Sequence, residues 1–361
     1  MRANDDLRGA KLLERLTLAG GPPGAETAVR AVVREALAGI GRIQCDRLGS
    51  IVCEKPGKLD RPHVQLDSHL DEVGFMVQSI SEDGMLGFVP LGSWWEHALL
   101  AQRVDVLGSK GPVGGVVGSK PPHFLSPEER RGVLPIEKLF IDIGAAGRDE
   151  AEGFGVRVGD PVVPHCEFRP LANPSILSSK AFDNRAGVAL MIEVLLDLGM
   201  DHPGTVFGVG AVQEEVGCRG AGTAAEIVDP DIALVLEGTP ADDTPGFPPS
   251  QRQAILGRGP QLRFYDPTAI SNRGFTRLVE ETAAHERIPI QLAVRRSGGT
   301  DAKTISTHRR GVPTVVIGVP ARYIHTHVSF IHLDDYEAAK RLVLAVIRRL
   351  DRATVESMVA F

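Results

Sequence analysis

Four short apolar runs in this chain each stop at an acid or lead to a histidine. The run at 64–66 leads into Asp67-Ser68-His69-Leu70-Asp71-Glu72, and the run at 206–213 into Glu214-Glu215. The run at 232–236 ends at Glu237, and the run at 315–319 leads through Pro320-Ala321-Arg322-Tyr323-Ile324 to His325-Thr326-His327. A fifth acid, Asp183, stands immediately before a helical stretch, where an N-cap role alone could explain it. A loop histidine or a strand-end Glu also has an ordinary solvated explanation. Adjacent Glu214 and Glu215 resist one, because neighbouring carboxylates repel unless a cation or proton intervenes. His69 and Asp71 alternate in an extended chain, so their side chains point the same way. Two histidines with several carboxylates and no cysteine suit a zinc-like or cobalt-like divalent ion better than magnesium or calcium. Five candidate ligands exceed the need of one zinc and suffice for two metals about 3.5–4 Å apart with a shared carboxylate. Such a pair lowers the pKa of a held water towards about 7 and stabilises charge on an attacked carbonyl. A carboxylate left free of metal would act as general base. On spacing alone Glu214 and Glu215 can exchange roles, and His327 competes with His325.

Ligand sites in open α/β sheets lie outside the carboxyl ends of the strands, so the elements around these residues are the next test. Segments 7–18 and 25–40 carry apolar residues at helical spacing, the second with Val29, Val32, Val33, Ala36 and Leu37 on one face. Strands are expected at 51–53 and 63–67. From about 73 to 169 the texture changes to short apolar runs at 73–80, 103–107, 139–143 and 160–163, divided by Gly and Pro. A Gly- and Pro-rich stretch at 108–122 falls between them, and the whole reads as a small β-rich module without a long helix. From Asp183 onward helices at 184–198, 219–227, 275–287 and 334–350 alternate with strands at 205–213, 231–237, 288–294 and 313–319. The last helix places Tyr336, Ala339, Val343, Val346 and Leu350 on one face. This pattern predicts an α/β sheet covered by helices on both faces with an inserted β-rich domain. The expected boundaries are 1–72 and 169–361 for the α/β domain and 73–168 for the insertion.

Composition narrows the function classes. The 361 residues are 43 % hydrophobic and 24 % charged, which excludes a disordered chain, and the length suits two or three domains. A net charge of −6 argues against nucleic acid or an anionic membrane as the partner. The start Met1-Arg2-Ala3-Asn4-Asp5-Asp6 shows no signal peptide, and the most apolar stretch, 186–196, is short and interrupted by Glu193. Cys45, Cys53, Cys166 and Cys218 lack close pairing and are expected as free thiols. The expectation is a soluble, cytoplasmic protein.

At the candidate ligands the sequence resembles the co-catalytic dinuclear metallo-aminopeptidases of the tetrahedral (TET) type, which include glutamyl and leucyl aminopeptidases. His69-Leu70-Asp71-Glu72-Val73-Gly74, Lys180-Ala181-Phe182-Asp183-Asn184-Arg185, Glu214-Glu215-Val216-Gly217, Leu236-Glu237-Gly238-Thr239-Pro240 and Pro320-Ala321-Arg322-Tyr323-Ile324-His325 are similar to its metal motifs. Lys120-Pro121-Pro122-His123, Leu125-Ser126-Pro127-Glu128-Glu129-Arg130 and Gly298-Gly299-Thr300-Asp301-Ala302 match without supplying a ligand. The resemblance implies a mixed sheet of the zinc-exopeptidase kind and an enzyme that removes N-terminal residues from peptides with two divalent metal ions, zinc or cobalt. It implies that His69 and His325 hold metals, that Asp183 bridges them, and that Glu215 and Glu237 complete the ligand set. Glu214 would be the general base, and Asp71 would orient the ring of His69 by a hydrogen bond. The insertion would be a dimerisation module, with dimers often assembling into hollow dodecamers. Glu237 stands where relatives often have Asp, and Asn184 where a second Asp is common. The alternatives are a deacylase or carboxypeptidase of the same arrangement, or an inactive assembly protein.

Overall fold

The protein is described from residue 8 to residue 359 in a computed structural model; the expectations for the start of the chain and for Leu7 lie outside the described residues. Helices α1 (Gly9–Leu18) and α2 (Thr27–Ala36) lead into strands β1 (Arg42–Cys45), β2 (Ile51–Lys55) and β3 (Val64–His69). The chain then builds a closed six-stranded barrel. Its strands are β4 (Gly74–Ile80), β5 (Leu86–Leu91), β6 (Arg103–Gly108), β7 (Gly111–Gly118), β8 (Phe140–Asp142) and β9 (Pro161–Pro164), with short helices α3 (Pro127–Arg131) and α4 (Arg148–Gly153) in the connections. It returns through β10 (Arg169–Pro170), β11 (Ile176–Ser179), α5 (Phe182–Asp197), β12 (Val206–Ala211), α6 (Arg219–Val228) and β13 (Ile232–Pro240). The remainder is β14 (Gln261–Asp266), β15 (Ala269–Ile270), α7 (Arg273–His285), β16 (Gln291–Val294), α8 (Ala302–Ile305), β17 (Thr314–Arg322), β18 (Ser329–His332), α9 (Leu333–Ile347) and α10 (Arg352–Ser357).

The main sheet runs β1-β2-β12-β3-β13-β17-β18-β11-β10, with β14 and its neighbours branching from β17. Its centre, β12-β3-β13-β17, is parallel, and antiparallel strands flank it, so the sheet is mixed. Alternate side chains of one strand feed two cores. Leu234 and Leu236 of β13 pack with α5, α7 and α9, while Ala233 and Val235 pack with α6 and α8. Both faces are therefore covered, as the alternation of helix and strand requires. Helix α5 is apolar nearly all round because it lies buried between the sheet and helices α1 and α9. Tyr336, Ala339, Val343, Val346 and Leu350 are all buried at their expected positions.

The Gly- and Pro-rich stretch at 108–122 is more regular than its composition suggests. It contains β7, which pairs with β6 and β8. Glycine is demanded there by close packing: a Cβ at Gly115 would lie 2.9 Å from Ile141 and 3.0 Å from the Asp142 carbonyl. Strands β11, β14 and β18 have no counterpart in the sequence expectation; β11 and β18 have four residues each, and β14 carries charged and polar residues at Gln261, Arg263 and Asp266. Among the described residues no helix is long and apolar enough to cross a membrane.

A buried ion cluster joins the end of β3, the start of α5 and the loop after α1. Both oxygens of Glu72 accept from the Lys180 ammonium at 2.5 Å, and Oε1 also accepts from Arg185 at 3.2 Å. Arg185 donates further to the carbonyls of Leu70 and Ala19, both at 2.7 Å. Burial pulls the Lys180 ammonium below its ordinary range, and the charge of Glu72 opposes that. Replacing Glu72 by Gln leaves two buried cations without a counter-charge, a change that costs about 3–5 kcal/mol. The expected outcome is a melting temperature lowered by several degrees in thermal unfolding; an unchanged transition would show that the cluster does not support the fold.

Candidate metal centre

Because β3, β12, β13 and β17 run parallel, their carboxyl ends lie on one edge of the sheet, and the predicted residues meet there. His69 is the last residue of β3 and pairs in register with Ala211 of β12. Glu214 and Glu215 follow β12, Glu237 lies within β13 opposite Gly318, and His325 follows β17. Asp183 is brought to the same place by the start of α5. Several turns at this edge place non-glycine residues in the left-handed region: Ala181, Gln213, Cys218, Tyr323 and His325. Such conformations persist where surrounding contacts impose them, and they gather at functional sites.

The Asp183 carboxylate is shared between the two imidazoles. Its Oδ1 lies 3.1 Å from His69 Nε2 and its Oδ2 lies 3.4 Å from His325 Nε2. Each histidine is fixed at its other nitrogen by a main-chain carbonyl. His69 Nδ1 donates to Asp71 O at 3.0 Å and His325 Nδ1 to Ser93 O at 2.9 Å. With Nδ1 committed to a carbonyl, each Nε2 faces carboxylates across a gap that a proton fills when no cation is bound, and this is the direction a metal-binding imidazole needs. Glu215 Oε1 is 3.3 Å from His325 Nε2, and Glu237 Oε2 is 3.7 Å from His69 Nε2.

Four groups of three donors lie with their ligand atoms within 4.8 Å of one another among the described residues: His69, Asp183 and Glu237; Asp183, Glu215 and His325; His69, Glu214 and Glu215; and Glu214, Cys218 and Asp301. Asp183 is shared by the first two, which together take in both histidines, and Glu214 belongs to the other two. Glu214 has Oε2 3.9 Å from His69 Nε2 and Oε1 accepting from the Cys218 thiol at 3.4 Å. Glu237 Oε1 is buried and has no hydrogen-bond partner among the described residues. A donor set of two imidazoles and three carboxylates around such an orphaned oxygen fits divalent cations.

The electrostatics agree. Burial, reinforced by Glu215, Asp71 and Asp183 and opposed by His69, pushes the Glu214 carboxyl up to about 7. Burial also holds Glu237 well above the ordinary range and raises Glu215. Burial would lower His325, but its bonds to Asp183 and Glu215 lift it to about 11. Protons stand where positive charge is required.

Asp183 does not act as the helix cap. Its own backbone is non-helical, and Asn184 takes the capping role, with Oδ1 accepting from Gly187 N at 3.1 Å and from Gly238 N at 2.9 Å. Asp71 also differs from expectation in how it acts. Its main-chain carbonyl, not its carboxylate, holds His69 closely, the carboxylate Oδ1 being 3.6 Å from Nδ1. The two carboxylate oxygens accept from the backbone N–H groups of Glu214 and Glu215, each at 3.0 Å. His327 is excluded from the cluster: it is buried with its ring against Trp94, 5.2 Å between centroids.

Sequence reasoning missed several neighbours. Asp301 and Cys218 flank Glu214, and Arg263 and Arg295 line the cleft of about 270 Å³ above the ligands, together with Gly298, Gly299 and Thr300. The Gly298–Ala302 motif was the available signal for Asp301, and the arginines carry none, Arg263 lying inside β14 and Arg295 just after β16 with no pattern of their own. All four cysteines are free.

A family description, M42 glutamyl aminopeptidase, matches residues 49–342. The glutamyl aminopeptidase of Lactococcus lactis is 36 % identical over 342 residues, covering 92 % of this chain and 94 % of its own. The structure of a TET aminopeptidase from the marine sediment archaeon Thaumarchaeota archaeon SCGC AB-539-E09 superimposes with a TM-score of 0.94 at 45 % identity, over 97 % of this chain and 98 % of that one. The TET1 peptidase of Pyrococcus horikoshii, which can assemble into a tetrahedron or a large octahedral shell, gives 0.83 at 31 % identity over 94 % and 98 %. A chain with this ligand edge, this inserted barrel and likeness along nearly its whole length belongs to the M42 glutamyl aminopeptidase family of TET-type enzymes.

Proposed function

We propose that this aminopeptidase holds one divalent cation, zinc or cobalt, by His69, Asp183 and Glu237 and a second by Asp183, Glu215 and His325, with Glu214 as general base. The observation that carries the reading is the sharing of Asp183 by two donor groups that together take in His69, Glu237, Glu215 and His325, while Glu214 has one oxygen engaged by the Cys218 thiol. Bound there, two dications would acidify a water and polarise the scissile carbonyl. Glu214 Oε1 is occupied by the Cys218 thiol, so Oε2, on the side of His69, is the oxygen free to take a proton from the attacking water and return it to the leaving amine. Asp71 fixes that carboxylate from behind by holding the Glu214-Glu215 backbone.

The cleft favours an acidic first residue. Arg263 and Arg295 line it, and Arg263 Nε is buried without a hydrogen-bond partner among the described residues. A substrate carboxylate would satisfy that donor, although each guanidinium also serves an acid of this chain, Arg263 pairing with Asp266 at 3.1 Å and Arg295 with Asp242 at 2.7 Å. An acidic first residue agrees with the name of the Lactococcus lactis relative. The inserted domain, taken as residues 73–168, serves self-association as dimers and larger shells. Trp95, Phe124 and Val133 in and around the barrel are at least half exposed, an apolar cost that a second copy would relieve.

Glu214→Gln is expected to lower kcat by about 10²–10⁴-fold while metal content by elemental analysis stays at the wild-type ratio; near-normal turnover would remove Glu214 as the base. Asp183→Ala is expected to lose metal and activity together, and an unchanged metal ratio would exclude it as bridge. Among aminoacyl chromogenic substrates, Glu should exceed Lys in kcat/KM by about tenfold or more, as a desolvated charge contact provides. A preference for Lys would overturn the acidic reading.

A further inference from the structure

His327, which the metal centre leaves out, points to a second site. Its side chain is 5 % exposed, yet neither ring nitrogen has a hydrogen-bond partner among the described residues. Buried polar groups are rarely left so, because an unmade bond costs about 1–3 kcal/mol. The ring lines a cavity of about 280 Å³ in the seam between barrel and main sheet. The other walls come from four separate segments: Gln102 and Arg103 at the start of β6, His165 after β9, Arg169 on β10 and Ser178 on β11.

The charge of the cavity is one-sided. Neither the Arg103 nor the Arg169 guanidinium has an ion-pair or hydrogen-bond partner among the described residues, although both line this space. Asp105, the nearest acid on β6, is already engaged by His165 at 2.8 Å. Glu167 is the one acid lining the cavity, against two free guanidiniums and an imidazole with donor capacity to spare. Two exposed guanidiniums and a buried imidazole lining one space offer the kind of donors a phosphate group takes, since it has at least three strong acceptor oxygens. We propose that this cavity is a binding site for a small phosphate-bearing anion, distinct from the peptide cleft and held by Arg103, Arg169 and His327. The volume of about 280 Å³ accommodates an inorganic phosphate or a short phosphomonoester.

The site is wired to the metal centre by packing. The His327 ring lies against Trp94, Trp94 stacks on Phe75 at 4.6 Å, and the neighbouring Ser93 carbonyl holds His325 Nδ1. An occupant that fixes His327 would therefore stiffen the segment that orients a metal ligand.

The test is binding of inorganic phosphate, glycerol 3-phosphate and succinate to the metal-loaded enzyme by calorimetry, together with tungstate soaked into crystals as an electron-dense phosphate mimic. The tungstate peak is expected within hydrogen-bond reach of Arg103, Arg169 and His327. Arg103→Ala with Arg169→Ala, and separately His327→Phe, should weaken phosphate binding by about tenfold or more, while the arginine pair leaves basal peptide hydrolysis and metal content unchanged. Tighter binding of the ester than of free phosphate identifies an ester as the ligand, and the reverse identifies inorganic phosphate. A peak only at the metal centre, equal binding of succinate, or phosphate affinity unmoved by the arginine pair would each overturn the proposal.

Discussion

Asp183 sits between two imidazoles, and most of the architecture around the catalytic edge serves that contact. Its oxygens face His69 and His325 at 3.1 and 3.4 Å, yet the two histidines come from strands separated in the sheet by β13. A single carboxylate can reach both only if the strands end level, the α5 backbone turns away from helical geometry at the right residue, and each ring is held from behind. The parallel registers of β3, β13 and β17 supply the first condition, and the non-helical backbone at Asp183 and Asn184 the second. The carbonyls of Asp71 and Ser93 supply the third. The Ser93 carbonyl belongs to the barrel connection, so the inserted domain contributes directly to the geometry of the site.

Gathering four acids and only two imidazoles in a water-poor pocket is unfavourable without added positive charge. Burial raises the Glu214, Glu215 and Glu237 carboxyls and neighbouring carboxylates raise them further, whereas at Asp183 the two imidazoles outweigh burial and hold the carboxyl below the usual range. The fold tolerates this because stronger contacts elsewhere hold the edge in place. Asp71 is fully buried and spends both carboxylate oxygens on the backbone of the Glu214-Glu215 turn, which keeps two like charges adjacent. Glu72, one residue on, faces the opposite way into the Lys180–Arg185 cluster that fastens α5 to β3. Neighbouring acids thus do different work: one holds the site's acidic turn, the other anchors the helix that delivers Asp183.

The sequence made these positions legible to unequal degrees, for physical reasons. Strand ends are visible because buried parallel strands are apolar on both faces, so an acid at 214, 215 or 237 breaks the pattern. Helices α5 and α9 were visible because long apolar or amphipathic runs have few alternatives. The barrel's β7 was hidden, since its glycines are required by close approach of Ile141 and Asp142 and composition alone reads them as loop. The distinction between Glu214 and Glu215 was also hidden. Adjacent residues share every sequence property, and only the turn after β12 sends one carboxylate to His325 and the other beside Cys218.

The positions of Asp183 and Asn184 show how the local sequence can point to the neighbour of the residue that caps a helix. An Asp before a helix is a good cap, and a cap is what the local sequence suggests. The cap is made by Asn184, whose side-chain oxygen serves both the first turn of α5 and the backbone of Gly238 beside Glu237. An amide can do this where a second carboxylate would add charge to a pocket already short of cations, while its N–H₂ donates to the Leu236 carbonyl at 2.8 Å. With the backbone donors satisfied by a neutral neighbour, the Asp183 carboxylate is released from local duty and both of its oxygens remain available to the centre. The division of labour between these two residues is what leaves a carboxylate at a helix start free to face both imidazoles.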